Sequence, residues 1–154
     1  MNLTTRKTRA CTLDTLDEEL KDAIRAHVVQ NGLDDVESDI LMCCETLSFR
    51  HKEGLFGGIR TTLSAVHATP KWLVWAHSRG RNNVMVGTAQ LSQIDVRDYQ
   101  DTVQYAITPA QGLNITGRYT DKNRTSITFI VLEAEADGQK FRQVLNQAIR
   151  NAAK

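Results

Sequence analysis

The chain has 154 residues, which is long enough for one domain with a sizeable core. Hydrophobic residues make up 41% and charged residues 24%, a composition that suits a folded globule and excludes a disordered chain. The formal net charge of +1 is too small to attract the whole molecule to nucleic acid or to a membrane, so any such affinity must come from a local basic patch.

The N-terminal segment MNLTTRKTRACTLDTL has no apolar run after its basic residues, so it does not read as a signal peptide. No stretch of the sequence approaches the roughly 18 uninterrupted apolar residues of a transmembrane helix. The sequence therefore predicts a cytoplasmic protein.

Residues 1–35 are expected to form a basic tail followed by a helix. Residues 1–13 are polar and basic, which is typical of a loose terminal segment. Thr15 and Glu18 have the spacing of a capping box, and an apolar stripe then runs to the stop signal Asn31-Gly32. We predict a helix over residues 15–31.

From residue 36 onward the pattern predicts a second unit, residues 36–154, that is mainly β. Short apolar and β-branched runs alternate with turns rich in Gly, Pro and Asn, which favours an antiparallel sheet that bends into a barrel or sandwich. The predicted strands are residues 40–49, 59–68, 72–78, 83–89, 91–97, 112–119 and 125–132.

The chain is expected to end in an amphipathic helix over residues 137–153. Asp137 is a plausible N-cap, and the apolar residues that follow keep helical spacing. The stripe comprises Phe141, Val144, Leu145, Ala148, Ile149 and Ala152. Such a stripe needs an apolar partner, which an open end or seam of a barrel would supply.

This order of seven strands and one terminal helix resembles the pleckstrin-homology-like family, in its bacterial branch. The stretches that carry the resemblance are GLFGGIRTT between the first two strands, ATPKWLVWA at the third, and the terminal ADGQKFRQVLNQAI. The resemblance covers about residues 36–153 and implies a PH-like barrel capped by the helix. It also implies a non-catalytic binding module, because many members of the family hold inositol phosphates at the rim formed by the first and third loops.

Both tryptophans fall in the run HATPKWLVWA. On a strand, Trp72 and Trp75 point to opposite faces, so they cannot form one aromatic platform. We expect one to fill the barrel interior and the other to lie under a helix or at a subunit contact, with Trp75 the more buried.

The sequence contains no catalytic motif, and it predicts no enzyme, no cofactor and no metal site. Cys11, Cys43 and Cys44 lack metal-type spacing, so we expect reduced thiols, at least one of them buried. Nucleic-acid binding is not expected either, since the basic residues lack interleaved aromatics for stacking.

Residues 50–81 hold six basic residues and a single acid, which is a strong local excess of positive charge. In a meander the loops after the first and third strands lie at one end, whereas Lys71 lies at the other. The basic residues expected to converge are Arg50, Lys52, Arg60, Arg79 and Arg81. The spacing of Lys52 and Arg60 is similar to the basic headgroup motif of the PH-like family.

Guanidinium groups on two loops are suited to phosphate, so this rim is a candidate site for a phosphate-bearing ligand or an anionic membrane surface. Leu55 and Phe56 at the tip of the first loop suit insertion into a membrane interface. The alternatives are that the basic residues are merely solvated and that Leu55 and Phe56 cover the barrel or meet another subunit. The excess of apolar residues also favours a homo-oligomer or a protein-interaction scaffold with no small ligand.

Overall fold

The computed structural model describes residues 3–51, 54, 57–80, 82–107 and 109–154, with residues 3, 59 and 60 described by their backbone alone. The fold is mainly β with two helices, as the sequence predicts. The strands are β1 Leu3–Cys11, β2 Met42–His51, β3 Ile59–Ala68, β4 Trp72–Ser78, β5 Val84–Gln90, β6 Ile94–Asp98, β7 Gly112–Arg118 and β8 Thr125–Val131. The helices are α1 Glu18–Gln30 and α2 Ala136–Ala152.

The strands form two antiparallel sheets, one of order β1-β2-β3-β4-β5 and one of order β6-β7-β8. The predicted barrel does not form, because no ladder joins the two sheets within the part of the chain that the structure describes. Both edges of β2 are already occupied, by β1 and β3, so no edge of that strand is left for a strand of the second sheet. Between β5 and β6 a short 3-10 turn, Leu91–Gln93, carries the chain from one sheet to the other.

The basic segment at the N-terminus is a strand rather than the expected loose tail. β1 pairs with β2 along its whole length, from Leu3 opposite His51 to Cys11 opposite Cys43. Its threonines favour extended backbone, and its basic residues suit a sheet edge, where charge discourages pairing with other chains. The charges that suggested a tail are therefore equally typical of an edge strand.

Helix α1 begins three residues later than predicted. Its N-cap is Asp17, whose carboxylate accepts hydrogen bonds from the backbone N–H groups of Glu19 and Leu20. Thr15 instead bonds to Thr12 in the preceding turn, so the predicted capping box does not form. The helix covers one face of the five-stranded sheet at β4 and β5.

Helix α2 packs between the two sheets. Its buried residues Phe141, Leu145 and Ala148 join a core that includes Leu73 of β4 and Ile115 of β7. The helix therefore fills the gap that a closed barrel would have eliminated. The helix lacks the predicted cap: Glu135 occupies the N-cap position without a side-chain bond, and the Asp137 carboxylate accepts from the Ala10 backbone N–H, 2.8 Å away.

The two tryptophans lie in separate cores on opposite faces of β4. Trp75 belongs to the core between the sheets, whereas Trp72 packs under α1 with Leu20 and Ile24. The expectation of one interior tryptophan and one under a helix is confirmed. Their predicted order of burial is reversed, with Trp72 3% and Trp75 7% exposed, because α1 and the Asp34 carbonyl close over the Trp72 indole.

No helix within the described ranges is both long and apolar enough to cross a membrane.

Candidate functional site: a cleft between the two sheets

The two sheets separate near the start of β8 and leave a cleft of about 940 Å³. One wall comes from β3, β4 and β5, and the other from β8 and the turn that precedes it. Volumes of roughly 300–1,000 Å³ are typical of sites for small organic ligands. The cleft is therefore large enough to hold most of such a ligand.

The inner part of the cleft is aromatic. The ring of Trp75 meets the ring of Tyr119 edge to face, with centroids 4.9 Å apart. Trp75 lies opposite Gly87 in the β4–β5 ladder, and a Cβ atom on Gly87 would come within 2.1 Å of the indole. Glycine at this position is what lets the indole lie flat across β5. Met85 and Ile127 extend the apolar lining toward solvent.

The rim of the cleft is basic. Four basic side chains line it, Arg6, Arg79, Lys122 and Arg124, against one acidic side chain, Asp121. Arg6 Nε is buried and has no hydrogen-bond partner among the described residues. A buried donor of a charged group that lacks an acceptor costs about 1–3 kcal/mol or more, so an anion at this position would be bound favourably.

Ser64 and His77 form a hydrogen-bonded pair on the wall of the cleft, with Ser64 Oγ 2.8 Å from His77 Nδ1. Burial, and then the positive charge of Arg79, lower the pKa of His77, which keeps the ring neutral at pH 7. Hydrolytic triads require a third group that orients the histidine. None bonds to His77 in the described part of the chain, where Ser64 and the neutral His77 ring form a polar part of the cleft wall.

The predicted basic rim is only partly within the described residues. Arg50 pairs with Arg60 near the end of the β2–β3 ladder, and Arg79 directly follows β4 at the same end. Lys71 lies in the turn at the opposite end, with its ammonium 5.3 Å from the Trp72 ring centroid. Lys52, Arg81, Leu55 and Phe56 lie outside the described residues, as does the side chain of Arg60.

Of the predicted rim, Arg79 lines the cleft, whereas Arg50 is exposed and is not among the lining residues. Alternate residues of a strand share a face, and Arg50 is two residues from Ser48, the partner of Arg6. Arg50 therefore lies on the face of the sheet that forms the cleft. Arg50 and Arg6 thus share one face of the five-stranded sheet.

Three cleft residues, Arg6, Lys122 and Arg124, are not among the site residues predicted from the sequence. Arg6 lies in the segment predicted to be a loose tail, and because residues 4–9 are all polar, no apolar–polar alternation marks that segment as a strand. Lys122 and Arg124 belong to the turn before β8, and no local pattern shows that this turn approaches the first sheet.

Among the described residues, no group of three or more His, Cys, Asp or Glu side chains is arranged to hold a metal ion. Buried His67 bonds through Nε2 to the Val36 carbonyl, and Asp98 is paired with Arg142. These side chains have structural partners.

Comparisons of this chain with protein-family models, with curated proteins and with solved structures each found no match.

Proposed function

We propose that the protein is a non-catalytic, PH-like binding module that holds a phosphate-bearing amphiphile, a lipid of the anionic membrane surface, in the cleft between its sheets. The anionic group would lie on the rim at Arg6 and Arg79, and the apolar part on Trp75 and Met85. The observation that carries the proposal is the buried Nε of Arg6, which has no hydrogen-bond acceptor among the described residues.

The electrostatics of the rim favour an anion over a neutral ligand. The basic side chains outnumber the acidic ones four to one, and the neutral His77 adds no charge. Arginine guanidinium groups bind phosphate through paired hydrogen bonds, which gives geometric selectivity as well as affinity. Beyond the cleft, Arg50 extends the positive surface toward the end of the sheet.

The size and lining of the cleft favour a ligand with an apolar portion. A phosphate group alone would leave most of the 940 Å³ and the aromatic inner wall unused. Burial of apolar ligand surface contributes roughly 25 cal/mol per Å², so contact with Trp75 and Tyr119 would add affinity that a free anion does not gain.

The PH-like assignment is supported by the order of elements, since strands β2 to β8 are antiparallel and are followed directly by α2. Strand β1 and helix α1 are additions to that order. Strand β1 brings Arg6 to the cleft, so the addition itself contributes to the proposed site.

The test is binding to vesicles of phosphatidylglycerol and of phosphatidylcholine at two salt concentrations. The double variant Arg6→Gln/Arg79→Gln removes two charges from the cleft. Each basic residue near an anionic surface contributes about 1 kcal/mol, so affinity should fall by about 2 kcal/mol, or roughly 30-fold. The control Lys71→Gln/Lys140→Gln removes the same charge away from the cleft and should change affinity little.

A parallel arm titrates glycerol phosphate and inorganic phosphate, which carry the anion without the apolar part. Equal affinity for these and for the lipid would assign the site to a soluble phosphate. The proposal fails if the wild type does not bind phosphatidylglycerol at low salt, or if the control variant weakens binding as much as the cleft variant.

A second candidate function is self-association or binding of another protein, as a scaffold without a small ligand. It is favoured by exposed apolar side chains at the mouth of the cleft, since Ile127 is 67% and Met85 51% exposed. Under this alternative, light scattering at tens of micromolar gives at least a dimeric mass, and Ile127→Lys returns it to the monomer. A monomeric wild type would refute self-association.

A further inference from the structure

Two cysteines face each other across the β1–β2 ladder. Cys11, the last residue of β1, is the register partner of Cys43, and their Sγ atoms are 2.9 Å apart. Directly opposite residues of an antiparallel pair have Cα atoms about 4.5 or 5.5 Å apart. Both separations lie within the roughly 4.4–6.8 Å that a disulfide requires, so a bond could form without backbone movement.

Cys44, the third cysteine, cannot join this pair, because successive side chains of a strand point to opposite faces of the sheet. Cys44 points to the opposite face of β2, where it joins the core between the sheets and its thiol lies 3.7 Å from the Asp137 carbonyl. Burial raises the pKa of Cys44 to about 12, which makes it unreactive.

We propose that Cys11 and Cys43 form an oxidative modification site, in which Cys11 is the attacking thiol and Cys43 the resolving thiol of a cross-strand disulfide. The roles follow from exposure and from the hydrogen bond between them. Cys11 is partly exposed, whereas Cys43 is 3% exposed and reachable mainly through its partner. The hydrogen bond from the Cys43 thiol lowers the pKa of Cys11, and it raises that of Cys43.

The co-reactant is a low-molecular-weight disulfide. The Cys11 thiolate attacks one of its sulfur atoms, forms a mixed disulfide and releases one small thiolate. Cys43 then loses its proton and attacks the Cys11 sulfur of the mixed disulfide, which releases the second small thiolate. The protein gives up two protons and two electrons, and the small disulfide is reduced to two thiols.

The cross-link would join the two ends of a segment that contains all of α1, because Cys11 and Cys43 flank residues 12–42. It would also fasten β1 to the sheet, and with β1 the Arg6 side chain. The chemistry of the two thiols does not depend on what the cleft binds.

The test incubates the intact protein with glutathione disulfide and follows its mass. The wild type should lose two hydrogens, and trypsin should then release residues 10–21 joined to residues 26–50. Cys43→Ala should instead accumulate one glutathione adduct on Cys11, because the resolving thiol is gone. Cys11→Ala should show neither product.

The variant Cys44→Ala is the matched control, because Cys43 and Cys44 share one tryptic peptide. It should form the same cross-link as fully as the wild type. The proposal is overturned if Cys44→Ala fails to cross-link, if the wild type keeps a stable glutathione adduct, or if Cys11→Ala reacts as fast as the wild type.

Discussion

The guanidinium group of Arg142 on α2 is expected to be a principal link between the helix and the second sheet. It is 7% exposed, and its Nε donates to the Asp98 carboxylate at 2.7 Å. Its terminal nitrogens donate to the carbonyls of Leu132, Glu133 and Gly138. Replacement by methionine keeps an unbranched apolar stem but removes the charge and all four of these side-chain hydrogen bonds.

Removing one partner of a buried ion pair costs about 3–5 kcal/mol, because the other charge stays desolvated. With a denaturant slope of about 2 kcal/mol per M in urea, Arg142→Met should lower the unfolding midpoint by roughly 1.5–2.5 M. The assay is equilibrium urea unfolding followed by circular dichroism. In a double-mutant cycle, Arg142→Met with Asp98→Asn should be less destabilising than the sum of the single changes, by about 0.5–3 kcal/mol.

The matched control is Arg150→Met, which removes the same charge from the same helix. Arg150 is exposed and donates to the side chain of Gln147, so its loss should change stability by less than about 0.5 kcal/mol. If the two variants unfold at the same urea concentration, the hydrogen bonds of Arg142 do not stabilise the fold as argued.

Two other predictions follow from buried groups. Burial lowers the pKa of His67 from its unfolded value of 6.5, so its stabilising contribution is complete above that pH and is lost as pH falls through 6.5 toward the folded pKa. Unfolding free energy measured against pH should therefore fall less steeply below 6.5 in His67→Gln than in the wild type, by up to about 1.4 kcal/mol per pH unit. Equal slopes in the variant and the wild type would contradict this reasoning. Gly87→Ala should lower the free energy of unfolding by roughly 1–3 kcal/mol, because the new methyl group overlaps the Trp75 indole. In the control Gly58→Ala the methyl group meets open space, so stability should change little. Equal melting temperatures for the two glycine variants would contradict the packing argument.

The elements with strong local signals were predictable from the sequence. Strands β2 to β8 and helix α2 lie within a few residues of their predicted bounds, because period-2 alternation, turn residues and helical spacing all act over short distances. The prediction of a loose tail over residues 1–13 was wrong because a basic polar segment can be either a free tail or an edge strand. Only the pairing with β2 decides between them.

The architecture of the cleft could not be predicted in the same way. The β2–β3 and β4–β5 connections lie at the same end of the sheet, as a meander predicts, because antiparallel neighbours fix which turns share an end. Two sheets close into a barrel only if an edge strand of one pairs with an edge strand of the other. Here β1 occupies an edge of β2, and that pairing joins residues far apart in sequence, so no local pattern predicts it. Lys122 and Arg124 line the cleft because the two sheets stay apart. Their place in the site could therefore not be predicted without predicting that separation.

The placement of β1 has a consequence for the order in which the molecule assembles. Its ladder joins residues that are 32 positions apart at Cys11 and 48 apart at Leu3, whereas β2 to β5 are linked by successive hairpins. Contacts between residues distant in sequence carry a larger loop-closure entropy and form slowly. Strand β1 is synthesised before β2, and it cannot pair until β2 is available. We therefore expect β1 to dock late, and the Arg6 side of the cleft to be completed only after the hairpins have formed.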